Sequence, residues 1–339
     1  MSAQQVAKRG PMPVAYFGIA VGLLALANAW RVGVHLWQLP QTVSAVLSAA
    51  ALAVWLSLLI AYAGKWLAQR EAALAEIRHP VQSAFAALGL VSSLLAAQLL
   101  LPWWRPAALL VFGIAVTGQL ALALHLYGRF WQGGFAPEQV TPTIYLPMVA
   151  QNFVAGTAAA GFGWPQVGAL FFGVGAFAWL AMESMILHRA AVHEPLPEAL
   201  RPTLGIQLAP PVVGGVSYLA VSSGAPDLLA QAMLGYGLFQ ALLLLRLLPW
   251  IRRQPFAPSY WGFSFGVAAL PTLAMRMAER GDTGPAAWLA PALFVAANLI
   301  IGALAWKTLG LLLQGKLLPP QAAAPASAAA VAEVAVKQN

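Results

Sequence analysis

Between Arg253 and Arg276 the chain runs Gln254-Pro255-Phe256-Ala257-Pro258-Ser259-Tyr260-Trp261-Gly262-Phe263-Ser264-Phe265-Gly266-Val267-Ala268-Ala269-Leu270-Pro271-Thr272-Leu273-Ala274-Met275, 22 residues without a charge. About 20 predominantly apolar residues cross the hydrocarbon core of a bilayer as a helix, so 259–278 reads as a membrane span. The stretch contains Gly262-Phe263-Ser264-Phe265-Gly266, a match to the G-x-S-x-G of hydrolase nucleophile elbows. That chemistry needs a strand-to-helix turn, an oxyanion hole, and His and acid partners. No strand precedes this motif and no His follows it, so a hydrolase built on Ser264 is set aside. The glycines instead remove Cβ bulk beside Phe265 and let a large ring sit across a narrow axis, where it would block and dewet a passage. Packing of Phe263 or Phe265 against a neighbour or lipid is the other reading.

The same pattern extends through the chain. Of 339 residues, 60% are hydrophobic and 8% charged, against about 25% charged in an average soluble domain. So little charge cannot cover a water-facing surface, which excludes a soluble enzyme, a nucleic-acid binder and a disordered chain. The apolar runs are too long for the alternating strands of a β-barrel. Ten spans are expected, at 14–34, 42–64, 81–101, 106–127, 144–162, 166–187, 203–222, 228–248, 259–278 and 286–310. Lys8-Arg9 followed by apolar residues and Ala27-Asn28-Ala29 imitates a cleavable secretory signal, but the apolar run continues to Val34 and reads as a retained first span. Three regions are expected: a segment 1–12, a ten-helix domain 13–317 and a disordered Ala/Pro-rich tail 318–339.

Charge sets the orientation. With these spans, 14 Lys and Arg fall on one side, and Arg31, Arg105, Arg276 and Arg280 on the other. The positive-inside rule makes the first side cytoplasmic, with both termini there and an even number of spans. On that side prolines recur at 13, 80, 147, 202 and 258, separated by 67, 67, 55 and 56 residues. An aromatic follows four times, as Phe17, Phe85, Phe153, and Phe263 with Phe265; span seven has Gln207 instead. The unit suggested is a helical hairpin used five times, able to close into a ring with one helix of each facing a central axis. Proline is also simply common at helix starts.

The odd spans hold no ionisable residue in their middles but are rich in neutral polar and helix-loosening ones, including Gly18, Gln207, Pro210, Ser264 and Gly266. Irregular backbone at membrane depth is tolerated where protein buries it or water reaches it, and broken helices expose amides that favour anions. A passage lined this way suits an anion that passes quickly; close packing of small residues, as in Gly18-x-x-x-Gly22, is the competing account. A proton-coupled carrier usually needs an ionisable residue within the membrane. Glu183 in span six is the best candidate, with Arg246 in span eight as its ion-pair partner, in either a structural or a coupling role. No cofactor is expected. There is no Cys, and the five His show neither HExxH nor i, i+4 spacing, so no metal site is expected. Most of the 13 Trp fall near span ends and read as an interfacial belt in contact with lipid.

Taken in order, Tyr16-Phe17-Gly18-Ile19, Trp131-Gln132-Gly133-Gly134, Tyr145-Leu146-Pro147, Asn152-Phe153, Leu170-Phe171-Phe172-Gly173, Leu208-Ala209-Pro210, Gly235-Tyr236-Gly237, Leu245-Arg246-Leu247 with Pro249-Trp250, and Phe263-Ser264-Phe265-Gly266 resemble the tellurite-resistance/dicarboxylate transporter family. That family also includes slow anion channels of plant guard cells and fungal malate and sulfite exporters. The resemblance implies a homotrimer whose protomers each arrange ten helices as five hairpins in a quasi-five-fold ring, odd helices lining a central pore. It puts the pore-occluding phenylalanine at Phe265 and leaves Phe17, Gly18, Phe85, Phe153, Gln207, Pro210, Phe263, Ser264 and Gly266 as pore-lining candidates. It implies a non-enzymatic anion channel of a bacterial inner membrane, for chloride, nitrate or tellurite. A coupled carrier for tellurite or C4-dicarboxylates such as malate is the alternative. Arg276, Pro211 and the Ala/Pro tail depart from the family pattern.

Overall fold

The computed structural model describes residues 10–79, 81–133 and 136–318. Lys8-Arg9, Pro80, Gly134 and all but the first residue of the 318–339 tail therefore lie outside the described residues. Among those described, every regular element is helical. The α-helices are α1 (Phe17–Trp37), α2 (Gln41–Ala68), α3 (Arg70–Arg78), α4 (Gln82–Leu100), α5 (Arg105–Gln132), α6 (Gln151–Gly161), α7 (Pro165–Val192), α8 (Ala209–Val221), α9 (Leu228–Ile251), α10 (Ser264–Glu279) and α11 (Pro285–Leu313).

Among the described residues, eight helical segments are long and apolar enough to cross a membrane: Val14–Trp37, Gln41–Ala68, Gln82–Leu100, Arg105–Gln132, Pro165–Val192, Glu198–Val221, Leu228–Ile251 and Pro285–Leu313. The expected spans 144–162 and 259–278 are built differently. The first begins earlier, as a 3-10 turn Pro142–Tyr145, continues through a π-helical turn Leu146–Ala150, and reaches only 11 residues of α-helix in α6. Pro147 has no N–H and its ring crowds the carbonyl four residues back, so the backbone passes it in a wider turn. The second opens as a 3-10 turn Pro258–Phe263 before the 16 residues of α10. Among the described recurring prolines, Pro13 and Pro258 stand at the start of 3-10 turns, Pro202 lies inside the 3-10 segment Glu198–Leu208, and Pro147 lies in the π-helical turn. At the other end, Gly163 and Gly281 take φ of 93° and 92°, a left-handed conformation that glycine adopts without steric cost, and turn α6 and α10 into their following helices.

Consecutive helices pair, α1 with α2, α4 with α5, α6 with α7, α8 with α9 and α10 with α11. Across the pairs α1 packs on α4, α4 on α6, α6 on α8, α8 on α10, and α10 returns to α1. Burial divides the members. The most apolar windows of Val14–Trp37, Gln82–Leu100 and Glu198–Val221 are 72%, 61% and 72% buried, whereas the α2, α5, α7, α9 and α11 windows are 22%, 22%, 28%, 33% and 28% buried. Each member of that second set buries a single stripe. In α11 it runs Ala286, Ala290, Phe294, Ala297, Ile301, Leu304 and Thr308, the three-and-four spacing of one helix face. Leu124, Leu170, Phe177, Leu242, Leu299 and Leu313 point away from the protein, an arrangement that water would penalise and lipid does not.

Two features went unread in the sequence. The amphipathic helix α3 lies between α2 and α4, with Ala73 buried. Lys65 at the end of α2 forms a 2.7 Å salt bridge with Glu76 of α3. The Lys65 ammonium also donates to the Met12 carbonyl at 3.1 Å, and Glu76 Oε1 accepts from the Val14 amide at 3.3 Å. One buried ion pair thereby holds the start of the first helix against α2 and α3.

Candidate functional site

Two cavities lie along the circuit formed by α1, α4, α6, α8 and α10. The first, of about 750 Å³, occupies the end where the 3-10 turns begin and includes Gly18, Glu76, His79, Phe85, Tyr145, Pro210 and Phe265 in its lining. The second, of about 450 Å³, lies toward the opposite ends of the same helices and includes Asn28, Arg31, Thr157, Thr272, Arg276 and Arg280. Phe265 and Val213 line both. Phe265 is only 9% exposed, so its ring belongs to the partition between two spaces.

Local structure sets that position. Phe265 is the second residue of α10, directly after the Pro258–Phe263 turn. The Ser264 hydroxyl donates to the Trp261 carbonyl at 2.7 Å, and the Trp261 indole N–H donates to Thr308 Oγ1 on α11 at 2.9 Å. Trp261 is 2% exposed, which makes the turn a fixed platform. From Phe265 the lining face of α10 continues through Ala269, Thr272 and Arg276, steps of four, three and four that keep one helix face toward the cavity. Ser264 points elsewhere: it is fully buried and its hydroxyl is committed to backbone, an arrangement unlike an exposed nucleophile elbow.

The expected lining residues separate into two groups. Gly18, Phe85, Pro210 and Phe265 line the first cavity. Phe17, Phe153, Gln207, Phe263, Ser264 and Gly266 line neither of these two cavities. Phe17 is 1% exposed and packs edge-on to Tyr62 with ring centroids 5.6 Å apart. Phe153 is fully buried in a slot between Gly175 and Gly214, where an added Cβ would come within 2.8 and 2.9 Å of its ring. Gly266 allows contact with Leu208, which an added Cβ would meet at 2.7 Å, and Gly22 allows contact with Ser264. Phe263 faces a groove outside the circuit. Gln207 lies in the 3-10 segment Glu198–Leu208, with its side-chain oxygen buried and without a hydrogen-bond partner. Gly18-x-x-x-Gly22 is thus divided, with Gly18 at a cavity and Gly22 in a helix contact.

The ion pair expected between Glu183 and Arg246 is not formed. Glu183 accepts hydrogen bonds from the Tyr145 hydroxyl, the Trp179 indole at 3.0 Å and the Tyr236 hydroxyl at 2.7 Å. Gln240 in turn donates to the Tyr236 oxygen at 3.0 Å, and Arg246 is exposed. Three neutral donors satisfy the carboxylate in place of a cation, a solution that counting charges does not reveal. Among its partners, Tyr145 also lines the first cavity.

The second cavity carries the charge. Arg31 donates to the Gln98 carbonyl at 2.6 Å. Arg280 donates to the Leu219 carbonyl and, at 3.0 Å, to that of Ser222. Arg276 pairs with Glu279 at 2.8 Å. Three guanidinium groups against one carboxylate leave this lining positive, and two of the three are anchored by backbone oxygens that neutralise nothing. Among the described residues no group of three His, Cys, Asp or Glu could hold a metal ion.

The apolar exterior, the paired helices and the enclosed cavities define a helical, multi-pass membrane protein. Within that class the chain belongs to the voltage-dependent anion channel family, which matches residues 11–309. It is 35% identical over 312 residues to the tellurite resistance protein TehA homolog of Haemophilus influenzae, covering 92% of this chain and 94% of that one. It is 22% identical over 317 residues to the guard cell S-type anion channel SLAC1 of Arabidopsis thaliana, covering 88% of this chain and 57% of the relative, and 24% identical over 278 residues to the S-type anion channel SLAH2 of the same plant, covering 79% and 53%. The chain therefore spans somewhat over half the length of these plant relatives.

Proposed function

We propose that the protein is an anion channel in which the two cavities are halves of one pore and Phe265 closes it. The observation that carries this reading is that Phe265, nearly buried, borders both cavities. The positive lining of the second cavity supports anions as the permeant species, because a cleft lined by one sign of charge concentrates the opposite ion. The apolar first cavity offers no strong site at which an anion would be trapped. Conduction is passive, as channel function requires binding weak enough to release.

In this reading the eight long segments and the two proline-broken ones make ten spans. They form five hairpins in a quasi-five-fold ring, and the Lys/Arg-rich side and both termini are cytoplasmic. The membrane is a bacterial inner membrane, and the assembly is a homotrimer with one pore per subunit. Chloride and nitrate are the proposed anions; tellurite is suggested by the similarity to the Haemophilus tellurite resistance protein TehA homolog.

Planar bilayers under a chloride gradient test the gate. Phe265→Ala should raise anion-selective conductance by roughly tenfold or more over the parent, because it removes both the steric block and the dewetted constriction. A folded Phe265→Ala protein that conducts no more than the parent would refute the gate. The alternative carrier reading is favoured by one observation, that Glu183 reaches the first cavity through Tyr145. It predicts silence in both bilayers, with vesicle uptake of malate or tellurite that Glu183→Gln abolishes.

A further inference from the structure

A third cavity, about 670 Å³, is a groove on the outer surface between α9, α10 and α11. Its walls are apolar along most of their length, with Leu244 from α9, Val267 from α10 and Ile300 from α11, and the small Ala303 leaves the space open. At one end the character changes. Arg252 and Lys307 line the groove there, both exposed. Among the described residues, neither belongs to any of the three ion pairs and no Asp or Glu lines the groove. Lys307 lies over the Phe256 ring with its ammonium 5.5 Å from the centroid, and Phe256 stacks on Tyr260 at 5.7 Å. The cation is thus held at the rim by an aromatic shelf. Gln254 lies between this end and the first cavity, lining both.

We propose that this groove binds an anionic phospholipid of the leaflet on the Lys/Arg-rich side. The headgroup phosphate sits between Arg252 and Lys307, and one acyl chain lies along α11. Charge complementarity selects the occupant: two cations outside any of these ion pairs stand at the polar end of an apolar channel that opens toward the hydrocarbon. Basic pockets between membrane helices on the cytoplasmic side hold anionic headgroups for this reason. The dimensions agree. Leu293 and Lys307 both line the groove, and their separation along α11 is about 21 Å at about 1.5 Å per residue, enough for a chain that must cross one leaflet's half of a core about 30 Å thick.

The test is native mass spectrometry of the full chain in detergent, with phosphatidylglycerol and phosphatidylcholine of identical acyl chains as probes. The parent should retain phosphatidylglycerol in preference. In Arg252→Gln/Lys307→Gln that preference should fall by roughly tenfold while phosphatidylcholine retention stays at the parent's level. Both side chains are exposed, so this variant should fold, and a thermal melt of the detergent complex verifies it. Ala303→Phe should fill the groove and reduce retention of both lipids. Undiminished phosphatidylglycerol preference in the charge variant would overturn the proposal. So would an Ala303→Phe protein that keeps its lipid but loses oligomer mass by light scattering, because the groove would then be an interface between copies.

Discussion

Arg276 and Glu279 form a pair 2.8 Å apart on one turn of α10, with the Arg276 side chain 46% exposed. An exposed pair contributes little to stability, so its importance lies in the field it sets at the cavity lined by Arg31 and Arg280. Glu279 cancels part of that field. Glu279→Gln should therefore raise anion conductance at low ionic strength, and Arg276→Gln should lower it. Both effects should shrink at 1 M salt, where the Debye length falls to about 3 Å. Current–voltage curves at two salt concentrations read this directly, and equal effects at both would show that the charges act by shape rather than by field. The same residues illustrate what a sequence discloses. Arg276 was visible as a charge at a span end, and the face it shares with Phe265, Ala269 and Thr272 follows from helical spacing. Arg280 was counted only as a loop charge, because its anchoring to the carbonyls of Leu219 and Ser222 depends on a contact 58 to 61 residues distant.

At the scale of elements, hairpins and proline-marked helix starts were legible, because Pro and Gly act through local backbone geometry. The side of each helix that faces the cavities was not. Phe17, Phe85, Phe153 and Phe265 occupy similar places in the repeat, yet only Phe85 and Phe265 reach a cavity. Helices that are apolar on all sides show no stripe to distinguish core from lipid, and small residues such as Gly175 and Gly214 decide where a ring fits. Helix α3 was missed because its nine residues are too few for a span and its charges resemble a loop. Its Glu76 is nevertheless structural. Lys65 and Glu76 have side chains only 3% and 13% exposed, and removing one partner of such a pair strands the other. Glu76→Gln should cost about 3 kcal/mol, seen as a lowered detergent melting temperature, and a Lys65→Met/Glu76→Leu double variant should recover much of it. Equal loss in the double variant would mean that packing, not the charge pair, matters there. At the head of α9, Asp227 accepts from the Ala230 amide at 3.1 Å and from the Tyr218 hydroxyl. These bonds, the tyrosine's first, hold its carboxyl below the usual carboxylate range. A depressed folded pKa means stability that is complete above the unfolded value and is lost as pH falls through the folded one. Hydrogen exchange in the first turn of α9 should therefore accelerate at acid pH, and Asp227→Asn should remove that dependence.

For the whole molecule, composition and the length of the apolar runs point to a helical membrane protein, since 8% charge cannot cover a water-facing surface and long apolar runs do not suit alternating barrel strands. The number of crossings is a harder matter, and it turns on the two broken segments. Pro142–Gly161 and Pro258–Glu279 contain short α-helices preceded by 3-10 or π turns. Non-helical backbone inside a membrane must be buried in protein or reached by water. Packing of α6 against α4 and α8, and of α10 against α8 and α1, supplies that burial if both segments cross. The chain has no Cys, so single substitutions report without background. Gln132→Cys and Gln166→Cys flank the first broken segment, and Arg253→Cys and Thr283→Cys flank the second; all four positions are exposed. If both segments span, a membrane-impermeant maleimide added to sealed vesicles should label opposite members of each pair from opposite sides. Gln132 should share its side with Arg253, and Gln166 with Thr283. Same-side labelling within either pair would show that the segment does not cross. It would also break the alternation that places most Lys and Arg on one face.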